Sequence, residues 1–126
     1  MAIGLILDDE RVRSDITWAE LPATDIVVVV RNPKAFIWHM KYLDEVSWVS
    51  FDHDLARYNK AGRDITGYDC LKWLCRYLDR HPEVKIPQVF FHSQNPIGVA
   101  NMKGYWYNWL SHSDRLNTQP EERVNI

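Results

Sequence analysis

Four short apolar runs, each broken off by a polar cluster, constrain this chain more than any other feature. Residues 2–7 end in Asp8, Asp9 and Glu10. Ile26–Val30 is all β-branched, which favours a strand, and it ends at Arg31, Asn32 and Pro33. Val46–Phe51 ends at Asp52, His53 and Asp54. Residues 86–91 end at His92, Ser93, Gln94, Asn95 and Pro96, with Pro87 near their start marking an early or edge position. Continuous apolar runs of this length predict strands covered on both faces, as in a parallel sheet.

Helical signals alternate with these strands. Asn32 and Pro33 read as cap and first turn, with Phe36, Met40 and Leu43 as an inner face. Thr66-Gly67-Tyr68-Asp69 fits a capping box with Asp in place of Glu. It opens a stripe of Leu71, Leu74, Cys75 and Leu78 that His81-Pro82 stops. Asn95 and Pro96 open a third helix, whose face is expected at Ile97, Ala100, Tyr105 and Trp109. This alternation predicts an α/β fold: a right-handed, mostly parallel sheet of four to five strands in three layers. The first crossover, residues 10–25, is the weakest; residues 14–21 suggest a short helix cut off by Pro22. Residues 55–65 read as a long polar loop carrying Arg57, Lys60 and Arg63. Residues 112–126 read as a polar tail of a single domain, with 124–126 a frayed end or a last strand.

A chain of 126 residues with 46% apolar content can form one core without staples. Its net charge of -2 announces no sequence-specific DNA binding. Cys70 and Cys75 are expected as buried helical thiols, since five helical residues separate Cα atoms by roughly 8 Å, too far for a relaxed disulfide. No signal peptide or bilayer-length run is seen, so a soluble, cytoplasmic protein is expected. The tryptophans read as core, with Trp106 and Trp109 the two to watch because they lie on the helix leaving the strand ends.

In open parallel α/β sheets, ligands gather outside the carboxyl ends of the strands. Here that edge would collect Asp8, Asp9, Asp52 and Asp54 with His53, His92, Ser93 and Asn95. Clustered carboxylates raise one another's pKa unless a cation compensates. A hard divalent ion such as Mg²⁺, or Mn²⁺ in its place, is the usual answer, and it shares its coordination with phosphate. Arg31, Arg57, Lys60 and Arg63 could hold further phosphate charge, as could the helix starts at Asn32 and Asn95. Blander readings compete. Each acidic motif alone is an ordinary turn, Ser93 and Asn95 are caps, His53 faces solvent, His92 is structural, and the basic residues make a solvated loop. Two acidic motifs, each ending an apolar strand, tip the balance toward a metal or phosphate site.

Three segments carry a resemblance: LILDDERVR from Leu5, FDHDL from Phe51 with TGYDCLKWL from Thr66, and FHSQNPIGVANM from Phe91. In this order and spacing they resemble the cyclic-phosphate processing receiver-like family, related to response-regulator receiver domains and often encoded by phage or bacteria. The resemblance runs from Leu5 to about Met102. It implies a receiver/flavodoxin-like strand order, Mg²⁺ held by Asp8, Asp9 and Asp52, and Ser93 as the hydroxyl of the fourth strand. It implies that Asp54, His53, His92 and Asn95 belong to the subfamily's own pattern, with hydrolytic chemistry rather than signalling. A phage origin would place the protein in host cytoplasm. The fifth strand ending in Lys that receivers carry is not evident here.

The leading expectation is a metal-dependent phosphoesterase acting on cyclic phosphates of nucleotides or RNA ends. Asp52 would hold metal or attack phosphorus. Asp54, His53 or His92 would act as acid and base, and Ser93, Asn95, Arg57 and Lys60 would bind phosphate. A non-catalytic receiver-like module that binds a nucleotide or protein is the main alternative. A haloacid-dehalogenase-like phosphatase, suggested by Asp52-His53-Asp54, ranks third, because that motif normally ends the first strand of its fold and here ends the third. A phosphorelay receiver comes last.

Overall fold

The computed structural model describes residues 2–24, 26–43 and 45–113. The strands are β1 (Ile3–Leu7), β2 (Ile26–Val30), β3 (Val46–Phe51), β4 (Arg57–Tyr58), β5 (Asp64–Ile65) and β6 (Gln88–Phe91). The helices are α1 (Pro33–Tyr42), α2 (Gly67–Arg80) and α3 (Pro96–His112). The main sheet is parallel, in the order β2-β1-β3-β6. This is the receiver/flavodoxin-like α/β arrangement expected from the alternation of elements. The last strand is shorter than the apolar run that suggested it. It begins after Pro87, which has no N–H to give to the ladder, and it lies at the edge of the described sheet.

Local chemistry starts each helix. Asn32 Oδ1 accepts from the Ala35 N–H at 2.9 Å, with Pro33 at the first position. The Asp69 carboxylate accepts from the Thr66 N–H at 2.9 Å, performing the reach usually made by Glu. Asn95 Oδ1 accepts from the Gly98 N–H at 3.0 Å.

One face of the sheet packs against all three helices. Leu5, Leu7, Val49 and Phe51 meet Phe36 and Met40 of α1, the Leu71–Leu78 stripe of α2, and Met102 and Trp106 of α3. Leu43 is half-buried just past the end of α1. Cys70 and Cys75 are free and buried in the α2 stripe, and burial pushes both thiols up to about 12.

Several expectations need correction. The inner face of α3 is Gly98, Met102 and Trp106; Ile97 is 75% exposed and Ala100 is also exposed. Trp106 is core, and Trp109 is half-buried, stacked on Trp106 and donating to Asp79 Oδ1 at 3.1 Å. Residues 14–21 form no α-helix. They hold one 3-10 turn, Arg13–Asp15, fastened by Asp15 Oδ2 accepting from the Val12 N–H. This irregular segment supplies the layer on the second face, where Ile16 packs with Ile6 and Trp48. Residues 55–65 are not all loop, because β4 and β5 pair as an antiparallel hairpin. Its turn uses Gly62 at φ 79° and Asn59 Oδ1, which accepts from the Ala61 and Arg63 N–H groups. Residues 114–126, with the expected last strand at 124–126, lie outside the described residues; α3 itself runs one residue into the expected tail. Among the described residues no helix is long and apolar enough to cross a membrane.

Candidate functional site

The sheet register builds the site. Leu7 pairs with Val30 and Phe51, and Phe51 with Phe91, so all four strands of the main sheet end level. The ladder then continues one rung further. The N–H groups of Asp8, Asp52 and His92 donate to the carbonyls of Val30, Leu7 and Phe51 at 3.0, 2.9 and 3.1 Å. Three candidate site side chains therefore leave the backbone at fixed positions. All three are buried, and their ligand atoms lie within 4.8 Å of one another.

Asp8 is heavily coordinated. Its Oδ1 accepts from the Glu10 and Arg11 N–H groups, both at 2.9 Å. Its Oδ2 lies 3.0 Å from His92 Nε2 and 3.3 Å from Arg11 NH1. Burial alone would raise its pKa, but these donors outweigh burial and hold the carboxyl below its usual range. Asp52 behaves oppositely. Burial raises its pKa, the charge of Asp8 adds to that, and neither the Ser93 hydroxyl nor Arg11 fully offsets them.

His92 is fully buried, and burial lowers its pKa against the pull of Asp8. A neutral ring fits its bonds: Nε2 donates to Asp8, and Nδ1, 2.7 Å from Ser50 Oγ, accepts the hydroxyl proton. Both ring nitrogens are thus engaged inside the protein.

A second constellation sits at the mouth. His53 Nδ1 lies 2.8 Å from Asp54 Oδ1, and Asn95 Nδ2 donates to Asp54 Oδ2 at 3.3 Å. The His53 ring packs on Gly98, where a Cβ would approach to 2.5 Å. Asn95 therefore caps α3 with its oxygen and holds Asp54 with its nitrogen.

A cleft of about 530 Å³ opens above these groups. Asp9, Asp52, Asp54, Ser93 and Asn95 line it, as the strand-end argument anticipated. Asp9 stands outside the tight trio, whose third member is His92. Arg57 and Lys60 are exposed on the hairpin and do not line the cleft, and neither do His53 and His92. Arg63 pairs with Asp69 at 2.9 Å. Arg31 NH1 donates to the carbonyls of Arg11 and Asp8, so it pins the loop after β1.

Arg11 is a site residue that sequence reasoning missed. Its NH1 lies 3.3 Å from Asp8 and 3.7 Å from Asp52, and its NH2 donates to Gln94 Oε1 at 3.3 Å. Trp18 lies under its guanidinium at 5.0 Å and donates to the His92 carbonyl. Ser50 was missed as well. A serine inside an apolar strand and an arginine two residues after an acidic pair were the available signals. A cation thus already has a place between the two carboxylates. Donors of this kind suit a small divalent ion, with Asp8 and Asp52 as oxygen ligands and His92 able to join only by leaving Asp8.

A family model described as a cyclic-phosphate processing receiver domain matches residues 3–108. No curated protein and no solved structure matches the chain.

Proposed function

The chain belongs to the cyclic-phosphate processing receiver domain family, and from that premise and the cleft's geometry we propose that it is a metal-dependent phosphoesterase opening cyclic phosphates of nucleotides or RNA ends. The observation that carries this reading is the pair Asp8 and Asp52 on adjacent strand ends, sharing one cationic neighbour beside Ser93. Mg²⁺ or Mn²⁺ held by Asp8 and Asp52, with Asp9 alongside, would neutralise phosphate charge and orient the leaving oxygen.

The chain's own residues take the other roles. His92, braced by Ser50, holds the Asp8 carboxylate in one orientation. Arg11 turns from the carboxylates to a phosphate oxygen, a partner suited to its planar fork. Ser93, beside Asp52, and Asn95, beside Asp54, offer further polar groups in the same cleft. Asp54, set by His53 and Asn95, is the acid/base best placed at the cleft.

Turnover of nucleoside 2′,3′-cyclic phosphates with Mg²⁺ or Mn²⁺ tests the proposal. Activity is expected, with Asp52→Asn lowering kcat at least 100-fold, the scale typical of a lost catalytic group. If no cyclic or linear phosphoester is cleaved and Asp52→Asn matches wild type, the reading is wrong. Arg11 favours one alternative, since it can serve a site that only binds. Recovery of tightly bound, intact nucleotide would select that alternative.

A further inference from the structure

The cleft is larger than a phosphate needs, and its far wall is the β4–β5 hairpin. Its volume of about 530 Å³ suits a ligand of mononucleotide size. Among the described residues Tyr58 is the only aromatic one lining it, and it is 68% exposed. The hairpin that presents Tyr58 is firmly built. The Asn59 N–H donates to the Arg63 carbonyl, Asn59 Oδ1 closes the turn, and Arg63 ties the ribbon to Asp69 on α2. Ala56, also in the wall, enters the ribbon at φ 50°, a conformation unfavourable for a non-glycine residue, and so turns the chain sharply before Tyr58.

We infer that Tyr58 is a stacking platform for the nucleobase, which makes the ligand a nucleoside cyclic phosphate rather than a bare sugar or glycerol cyclic phosphate. The inference rests on the phosphate reading of Asp52, Ser93 and Arg11 and extends the same cleft outward. An aromatic ring accepts any base, because every base has a π-face. The platform selects for the presence of a base and not for its identity.

Calorimetric titration with adenosine 2′,3′-cyclic phosphate and ribose 2′,3′-cyclic phosphate tests this on the full chain with Mn²⁺. Wild type and Tyr58→Phe are expected to bind the adenosine compound alike, about ten-fold or more tighter than the ribose compound. Tyr58→Ala is expected to lose that preference while binding the ribose compound unchanged. If wild type binds both compounds equally and Tyr58→Ala changes nothing, the platform is refuted while the phosphate reading stands. If neither compound binds wild type, both are refuted.

Discussion

Arg11 occupies the place a metal would compete for. Its guanidinium lies near both Asp8 and Asp52, and a cation there offsets the cost of two neighbouring buried carboxylates. Removing it should leave those oxygens more available to a divalent ion and less able to retain a phosphate. Arg11→Ala is therefore expected to bind Mn²⁺ several-fold tighter than wild type and inorganic phosphate several-fold weaker. Calorimetry with each ion reads this directly; parallel loss of both affinities would mean that Arg11 only braces the loop. The turn at Asp8 should survive the substitution, because the Arg11 contact that closes it comes from the backbone. The sequence hid this role for a physical reason. An arginine four residues beyond a strand reads as solvated, and only the turn around Asp8 Oδ1 folds it back. Asp8, Asp52 and His92 were legible because each ends an apolar run, and a level register turns that one-dimensional signal into a shared site.

At the scale of elements, legibility followed how local the determinants are. The starts of α1 and α2 were readable because cap and partner lie three residues apart. The face of α3 was not, because His53 from β3's end sits on Gly98 and rolls that position inward, leaving Ile97 outside. The 3-10 turn replaced an expected helix because Asp15 captures the Val12 N–H and Trp18 reaches away to His92. The α2 start makes a quantitative prediction. Burial would raise the pKa of Asp69, but the Thr66 N–H and Arg63 outweigh it and lower the value from its ordinary 3.8. A carboxyl with a depressed folded pKa contributes stability that is complete above the unfolded value and disappears as pH falls through the folded one. Asp69→Ala is thus expected to cost about 1 kcal/mol at neutral pH. The gap from wild type should narrow as pH falls below about 4, when urea midpoints are compared across pH. A gap that stays constant into acid would assign the cost to lost packing instead.

The whole molecule carries a conflict between stability and chemistry. Burying Asp52 beside Asp8 disfavours its charged form, and the fold tolerates this because a well-packed core lies directly beneath the site. Leu5, Leu7, Val49 and Phe51 are all fully buried under the strand ends. If the conflict exists for a cation, supplying one must stabilise the fold through linkage. A ligand that binds only the native state at a hundred times its Kd contributes about 2.7 kcal/mol. For a domain of this size that raises Tm by on the order of 10 °C. Wild type is expected to show such a shift with Mn²⁺. Asp52→Asn should behave in the opposite sense at both ends. Without metal it should be as stable as wild type or more so, because the like-charge burial is gone. With metal it should barely shift, because a principal oxygen ligand has lost its charge. The pairing of these outcomes is the test, since a generic salt effect would move both proteins together. Equal shifts, or an Asp52→Asn variant less stable than wild type without metal, would place Asp52 in the fold's architecture and the metal elsewhere.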